Sequence, residues 1–221
     1  MELQQAVLGR RSIRRFLPKP VSDEMIKDII TKSLWSPSWG NTQSWEIVVG
    51  TGESLAEFKK KNRNALMEGK PSTPDIPMPQ VWFDPYKLRY RELGKSVLES
   101  LSIAREDRQA RTNHFAWMFT LFDAPAVVIF TVDKSLLLEY AMLDIGIILQ
   151  TFCLLAYDKG LGTCILAASV MYPEIAREAF SIPNNKLLVM GVAIGWPDTE
   201  APVNAFERNR ARLEECVRWA R

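Results

Sequence analysis

Four arginines and a serine fall within six consecutive residues, Arg10-Arg11-Ser12-Ile13-Arg14-Arg15. A guanidinium presents paired N–H donors in a planar fork, and charge-assisted bonds of that kind suit the several acceptor oxygens of a phosphate monoester. The stretch therefore reads as an anion cradle. A solvated basic turn and a nucleic-acid patch are its plainer alternatives. Further along, Ser36-Pro37-Ser38-Trp39-Gly40-Asn41-Thr42-Gln43-Ser44-Trp45 supplies hydroxyl and carboxamide groups that can satisfy a polar heterocycle. A second basic pair, Arg208 and Arg210, stands near the C-terminus, just before Leu213-Glu214-Glu215-Cys216-Val217-Arg218-Trp219.

The remaining composition narrows the chemistry. A lone histidine, His114, cannot build a His-rich metal site, and Cys153, Cys164 and Cys216 show no C-x-x-C spacing, so no metal centre is expected. The odd cysteine count fits reduced thiols and a cytoplasmic location, with Cys153 and Cys164 as core residues. There is no G-x-S-x-G for a serine hydrolase. Gly50-x-Gly52 and Gly160-x-Gly162 each lack the third glycine of a dinucleotide fingerprint. A net charge of +2 over 221 residues leaves no global field to draw the protein to nucleic acid or membrane. The N-terminal residues are polar with no apolar run after them, so no secretory signal is expected. The most apolar stretch, Ala141 to Ala156, would span only about 24 Å as a helix, short of a bilayer core.

The elements that must position these groups follow from periodicity. Leu3, Val7 and Leu8 suggest a short amphipathic helix leading into the arginines, and Pro18 and Pro20 an extended connection after them. Ser22, followed by Asp23 and Glu24, is a helix start; Met25, Ile26, Ile29, Ile30 and Leu34 give that helix an apolar face. Trp45 to Gly50, Ala126 to Val132 and Leu187 to Trp196 read as buried strands, and Thr163 to Ala168 as strand or loop. Helices are expected over about 53–68, 86–109, 136–157 and 173–180, the third apolar on most of its circumference and closed by Gly160-Leu161-Gly162. Five prolines between Lys70 and Pro85 exclude regular structure there and suggest a lid over about 70–111. Arg89 and Arg91 belong to a solvated face, and His114 to a helix surface or end. Residues 198–212 lack periodicity, as an arm does. A hydrophobic content of 47% is enough for one soluble domain over 1–221, and strands separated by helices make it a layered α and β protein.

Taken together, R-R-S-I-R-x-F, S-P-S-x-x-N-x-Q-x-W, G-L-G-T and R-x-R-x-x-L-E-E-x-V-x-W, in this order along essentially the whole chain, resemble the FMN-dependent nitroreductase family. The resemblance implies an α+β fold, α/β/α layered: a mixed sheet flanked by helices, with a C-terminal arm (about 198–221) exchanged in a homodimer that carries two flavin sites at its interface. It implies that Arg10, Arg11 and Ser12 bind the FMN phosphate and ribityl end, joined by Arg208 and Arg210. Arg14 matches the position whose cation lies near flavin N1 and O2, where a fixed charge stabilises the reduced ring. Pro37, Ser38 and Asn41, with Gln43, match the stretch that contacts the flavin from the partner subunit. Leu166, Ala167 and Ala168 match the backbone contact to N5 and O4, which makes Arg14 and Ala167 the residues nearest the redox step. Alanine at 167, where some members carry a hydroxyl, favours hydride transfer.

With no Rossmann site, NADH or NADPH and the oxidant are expected to alternate over one flavin face in ping-pong fashion. The oxidant is a flat, electron-poor aromatic such as a nitroaromatic or a quinone, with Trp39, Trp82, Phe83, Tyr86, Trp117 and Phe119 available to line its pocket. The same scaffold also supports reductive dehalogenation, enoate reduction and flavin cleavage. Outside enzymes, the arginine ends could form a nucleic-acid surface, but no aromatics interleave them as nucleic-acid motifs require.

Overall fold

Strand β2 (Ala126–Asp133) is a run of β-branched and apolar residues, buried at every position but the last. In the computed structural model of the protein, which describes residues 1–220, it lies inside a four-stranded sheet of order β1-β2-β4-β3, with β1 Trp45–Thr51, β3 Gly162–Leu166 and β4 Lys186–Gly195. Each of these neighbouring pairs is antiparallel. One parallel pairing, the bridge Ser12↔Thr163, adds the arginine stretch to the free edge of β3. Arg221, the last residue of the expected arm, lies outside the described residues.

Because side chains alternate across a strand, β2 serves two cores. Val127 and Ile129 face α3 (Gly52–Met67), α5 (Arg108–Phe119) and α7 (Pro173–Phe180), where Phe58, Phe119 and Ala176 close the layer. Ala126, Val128, Phe130 and Val132 face α2 (Asp23–Ser33) and α6 (Leu138–Asp158), where Ile26, Ile29, Ile148 and Phe152 close the other. This is the α/β/α layering that strands separated by helices imply. Ser22 caps α2 by accepting from the Met25 amide at 3.3 Å, as its sequence signals.

Several expectations shift. β1 is an edge strand, so Glu46 and Val49 are exposed rather than buried. The helix expected over 86–109 is two: α4 (Tyr86–Ser100) stops before Ser102, which takes a positive φ of 56°, and α5 restarts at Arg108, capped by Asp107 accepting from the Ala110 amide at 2.8 Å. His114 accordingly lies within α5, half-buried, rather than on its surface or end. The arm contains two single turns, α8 (Pro202–Ala205) and α9 (Leu213–Cys216).

Helix α6 has 21 residues and reaches about 32 Å, so length does not exclude a membrane span as the shorter estimate suggested; by length and composition it could cross one. What argues against it is packing, since Ala141, Ile145, Ile148, Phe152, Cys153 and Ala156 are buried against the sheet layer. Asp75 pins the first part of the proline-rich loop. It receives the Arg177 guanidinium and the Leu188 amide, at 2.7 and 2.8 Å, which ties the loop to α7 and β4.

Candidate active site

Three contacts hold the arginine stretch against the sheet. Ile13 donates its amide to Thr163 O at 2.9 Å, and Phe16 bridges to Pro197. Gly162 permits the close approach, because a Cβ there would stand 2.6 Å from the Ile13 side chain. Asn204 of α8 fastens the other side: its Oδ1 accepts from the amides of Arg14 (2.7 Å) and Arg15 (3.3 Å), and its Nδ2 donates to the carbonyls of Arg15 (2.7 Å) and Asp198 (2.9 Å). Buried to 5% exposure, it satisfies four backbone groups at once. Asn204→Ala is expected to cost about 1–2 kcal/mol in a denaturant titration, part of the loss being taken up by water at exposed Arg15.

So held, the arginines open into a cleft of about 670 Å³ between the arginine stretch, one face of α4 and the C-terminal arm. Six arginines line it, Arg10, Arg11, Arg14, Arg89, Arg208 and Arg210, against Glu92, Glu207 and Glu215. One of these carboxylates is already engaged, since Glu215 pairs with Arg89 at 2.7 Å and so links α4 to the arm. Ser12 shares the lining. Burial first, then the charges of Arg208 and Arg14, hold the Arg11 guanidinium below its ordinary pKa; burial, then Arg210 and Arg10, do the same for Arg208. Arginine stays protonated regardless; burial leads both shifts, and the neighbouring guanidinium charges add a repulsion that an anion would relieve. Arg10 Nε is buried without a hydrogen-bond partner among the described residues, a donor left over for such an anion.

The side chains differ in how far they are committed. Arg208 donates to the carbonyls of Leu8 and Arg10, at the end of α1 (Leu3–Gly9), where a cation suits the open carbonyls. Arg11 donates to Phe206 O. The Phe206 ring stands 5.5 Å from the Arg11 guanidinium and 5.9 Å from that of Arg14, a cation–π support for both. Among the described residues Arg210 bonds its neighbour's carbonyl, Asn209 O, at 2.8 Å.

From Thr163, beside Ser12, β3 runs four residues to Ala167, about 13 Å at strand rise. There Leu166 and Ala168 are buried and Ala167 is half-buried, in a single 3-10 turn Ala167–Ser169. The segment with Pro37, Ser38, Asn41 and Gln43 lies elsewhere. Pro37, Asn41 and Gln43 are exposed, and none of the four lines the arginine cleft of the same chain. Its conformation is nevertheless fixed. Buried Asp144 of α6 accepts from the Trp39 amide (3.0 Å) and Ser44 Oγ (2.9 Å), and Ser38 Oγ accepts from the Gln43 amide (2.9 Å).

The nitroreductase family model matches residues 7–196. The chain belongs to the nitroreductase family. It is 34% identical over 218 residues to a nitrobenzene nitroreductase of Ectopseudomonas oleovorans, covering 96% of this chain and 94% of that one. It is 30% identical over 220 residues to a chloronitrobenzene nitroreductase of Comamonas testosteroni, covering 96% and 94%. Among solved structures, the FMN- and NADPH-dependent nitroreductase NfnB from Sphigopyxis sp. strain HMH superposes with a TM-score of 0.95 at 29% identity, covering 100% of this chain and 99% of that one.

Within this nitroreductase fold several aromatics offered for the pocket are structural. Phe119 is 3% exposed in the core, and Trp117 packs edge-on to Phe122 while its indole N–H donates to Asp123 at 2.7 Å. Trp45, never a pocket candidate, is core, as expected of its strand. Trp82 stacks on Tyr90 at the exposed start of α4. Sequence reasoning missed Phe206 and Asn204, which sit in an aperiodic tail and gain meaning only when the tail returns to the arginines. Burial, then the Arg14 charge, hold the His114 imidazole below the ordinary value of 6.5. A histidine depressed in the folded state binds protons more readily when unfolded, so its contribution is complete above about pH 6.5 and is lost as pH falls below it. In thermal unfolding followed against pH, His114→Gln should flatten that acid limb and leave stability above it little changed.

Proposed function

We propose that this protein is an FMN-dependent NAD(P)H oxidoreductase that reduces nitroaromatic compounds. The observation that carries the reading is the convergence of Arg10, Arg11, Arg14 and Arg210 on one cleft that also holds Ser12. The residues fit the cofactor: mutually repelling guanidinia and the orphaned Arg10 Nε suit a phosphate, and the 3-10 turn follows the strand to which Ser12 is bridged. When bound, FMN supplies the hydride chemistry, taking two electrons from the nicotinamide and passing them to the substrate. The chain's own work is binding and polarisation. Arg10, Arg11, Ser12 and Arg210 hold the phosphate and ribityl end. Arg14, braced by Phe206, holds a cation toward N1 and O2. The backbone of the Leu166–Ala168 segment would contact N5 and O4, which requires no particular side chain. Arg208 contributes by fixing the Leu8 and Arg10 carbonyls, and through them the cradle.

A homodimer completes the reading. Pro37, Ser38, Asn41 and Gln43 form an ordered, outward-facing segment away from their own chain's cleft, beside Trp35 at 90% exposure and the exposed Leu143 and Ile147 of α6. That apolar face is one a second copy would cover, bringing the segment to the partner's flavin, with the arm from 198 and the lid at about 70–111 framing the site. We assign the protein to the cytoplasm on its unpaired thiols, exposed Cys216 included, with no role for nucleic acid or membrane. Steady-state kinetics with nitrobenzene and chloronitrobenzene test the assignment: parallel double-reciprocal lines with NADPH or NADH are expected. No turnover of either nitroarene by flavin-loaded protein would refute it.

A further inference from the structure

At the 3-10 turn after β3, the carbonyl that precedes the turn and the first two within it are taken by protein donors. Ser169 Oγ donates to Leu166 O at 2.5 Å, the Val170 amide to Ala167 O at 2.8 Å, and Asn62 Nδ2 to Ala168 O at 2.9 Å. In a trans peptide the C=O and the following N–H point in opposite directions. The Ser169 amide closes the turn on Leu166 O, as 3-10 geometry over Ala167–Ser169 requires; the amides of Ala167 and Ala168, each opposite an engaged carbonyl, are the ones the turn leaves over. Successive free amides of this kind form a concave donor surface.

The two side chains that set this arrangement are costly to keep where they are. Asn62, on α3, is completely buried; its Nδ2 also donates to Phe119 O at 2.8 Å, while its Oδ1 has no partner among the described residues. An apolar residue would pack at such a position without an orphaned oxygen. Ser169 is 1% exposed, and β4 is bare opposite it: a Cβ on Gly191 would fall on the Ser169 hydroxyl. Packing alone explains neither polar side chain; the fixed turn explains both.

We infer that Asn62 and Ser169 are positioning residues that clamp the Leu166–Ser169 turn, so that its outward amides stand ready as donors to the acceptor edge of the flavin ring. The inference rests on the flavin reading above. Its test is titration of FMN and of riboflavin into the apoproteins of wild type, Ser169→Ala, Asn62→Ala and Arg10→Ala, with the visible spectrum of each complex. Ser169→Ala and Asn62→Ala should weaken both flavins by the same factor, about three- to tenfold, and alter the shape of the bound flavin band. Arg10→Ala should weaken FMN far more than riboflavin. Ser169→Ala removes a single oxygen and carries the test if Asn62→Ala does not fold. A lower apoprotein melting temperature with unchanged flavin affinities and spectra would make both residues merely structural and overturn the inference. Wild type binding neither flavin would instead remove the reading beneath it.

Discussion

Replacing Arg10 and Arg11 together with alanine should lower FMN affinity by about 3–6 kcal/mol, roughly two to four orders of magnitude, on the scale of two hydrogen bonds to a charged partner. The two guanidinia line the same wall of the cleft, one with its buried Nε unpartnered and the other pressed by Arg208 and Arg14. The apoprotein, relieved of like-charge repulsion, should unfold no earlier than wild type once the lost Arg11–Phe206 contact is allowed for. That separates a binding defect from a folding defect. Affinity should also fall with added salt in wild type and much less in the double variant, since the attraction at stake is between charges. Equal FMN affinity in the two proteins would make the arginine stretch a solvated turn.

Arg14→Ala should weaken FMN by about 1.5–3 kcal/mol and shift the potential of the bound flavin downward. Two-electron reduction places negative charge on N1 and O2, and a cation fixed there favours the reduced form. Arg14 is well placed to be fixed: its amide is held by Asn204 and its guanidinium stands over the Phe206 ring. Arg14→Lys should retain part of the potential, because it keeps charge but gives up the planar fork. Isothermal titration and a dye-coupled potential measurement read the two effects separately. Unchanged affinity together with unchanged potential in Arg14→Ala would remove the assignment.

Much of this architecture is legible in the chain because its signals are local. Ser22 before Asp23 and Glu24, the prolines at 173 and 183, the β-branched run 126–132 and Gly160 each mark an element boundary through a short-range cause: a cap, a missing N–H, a pleat or a left-handed φ. Where the boundary lay in a weaker signal it was lost. The 86–109 segment carries charged and apolar residues at helical spacing throughout, and the break rests on the conformation of Ser102 and the cap at Asp107, which periodicity does not see. α6 shows the converse. Its length and apolarity suit a membrane as well as a core, and only packing on the sheet separates the two.

The candidate site divides the same way. Arg10, Arg11, Ser12 and Arg14 are contiguous, so their chemistry could be read from spacing. Asn204, Phe206, Asn62 and Ser169 act on segments far away in sequence, and the pairs Arg14–Asn204 and Asn62–Ala168 lie 190 and 106 residues apart. No local pattern announces a carboxamide that will satisfy four backbone groups or hold one turn. The Pro37–Gln43 segment was legible as polar; its fixed conformation was not, because it rests on Asp144, 105 residues beyond Trp39.

The most direct measurement is the visible absorption spectrum of the purified protein after incubation with FMN and removal of excess, followed anaerobically by NADH and then NADPH. The account predicts a protein-bound flavin spectrum that bleaches on addition of a nicotinamide donor and returns when nitrobenzene is added. A protein that retains no flavin, or whose flavin neither donor bleaches, would contradict it.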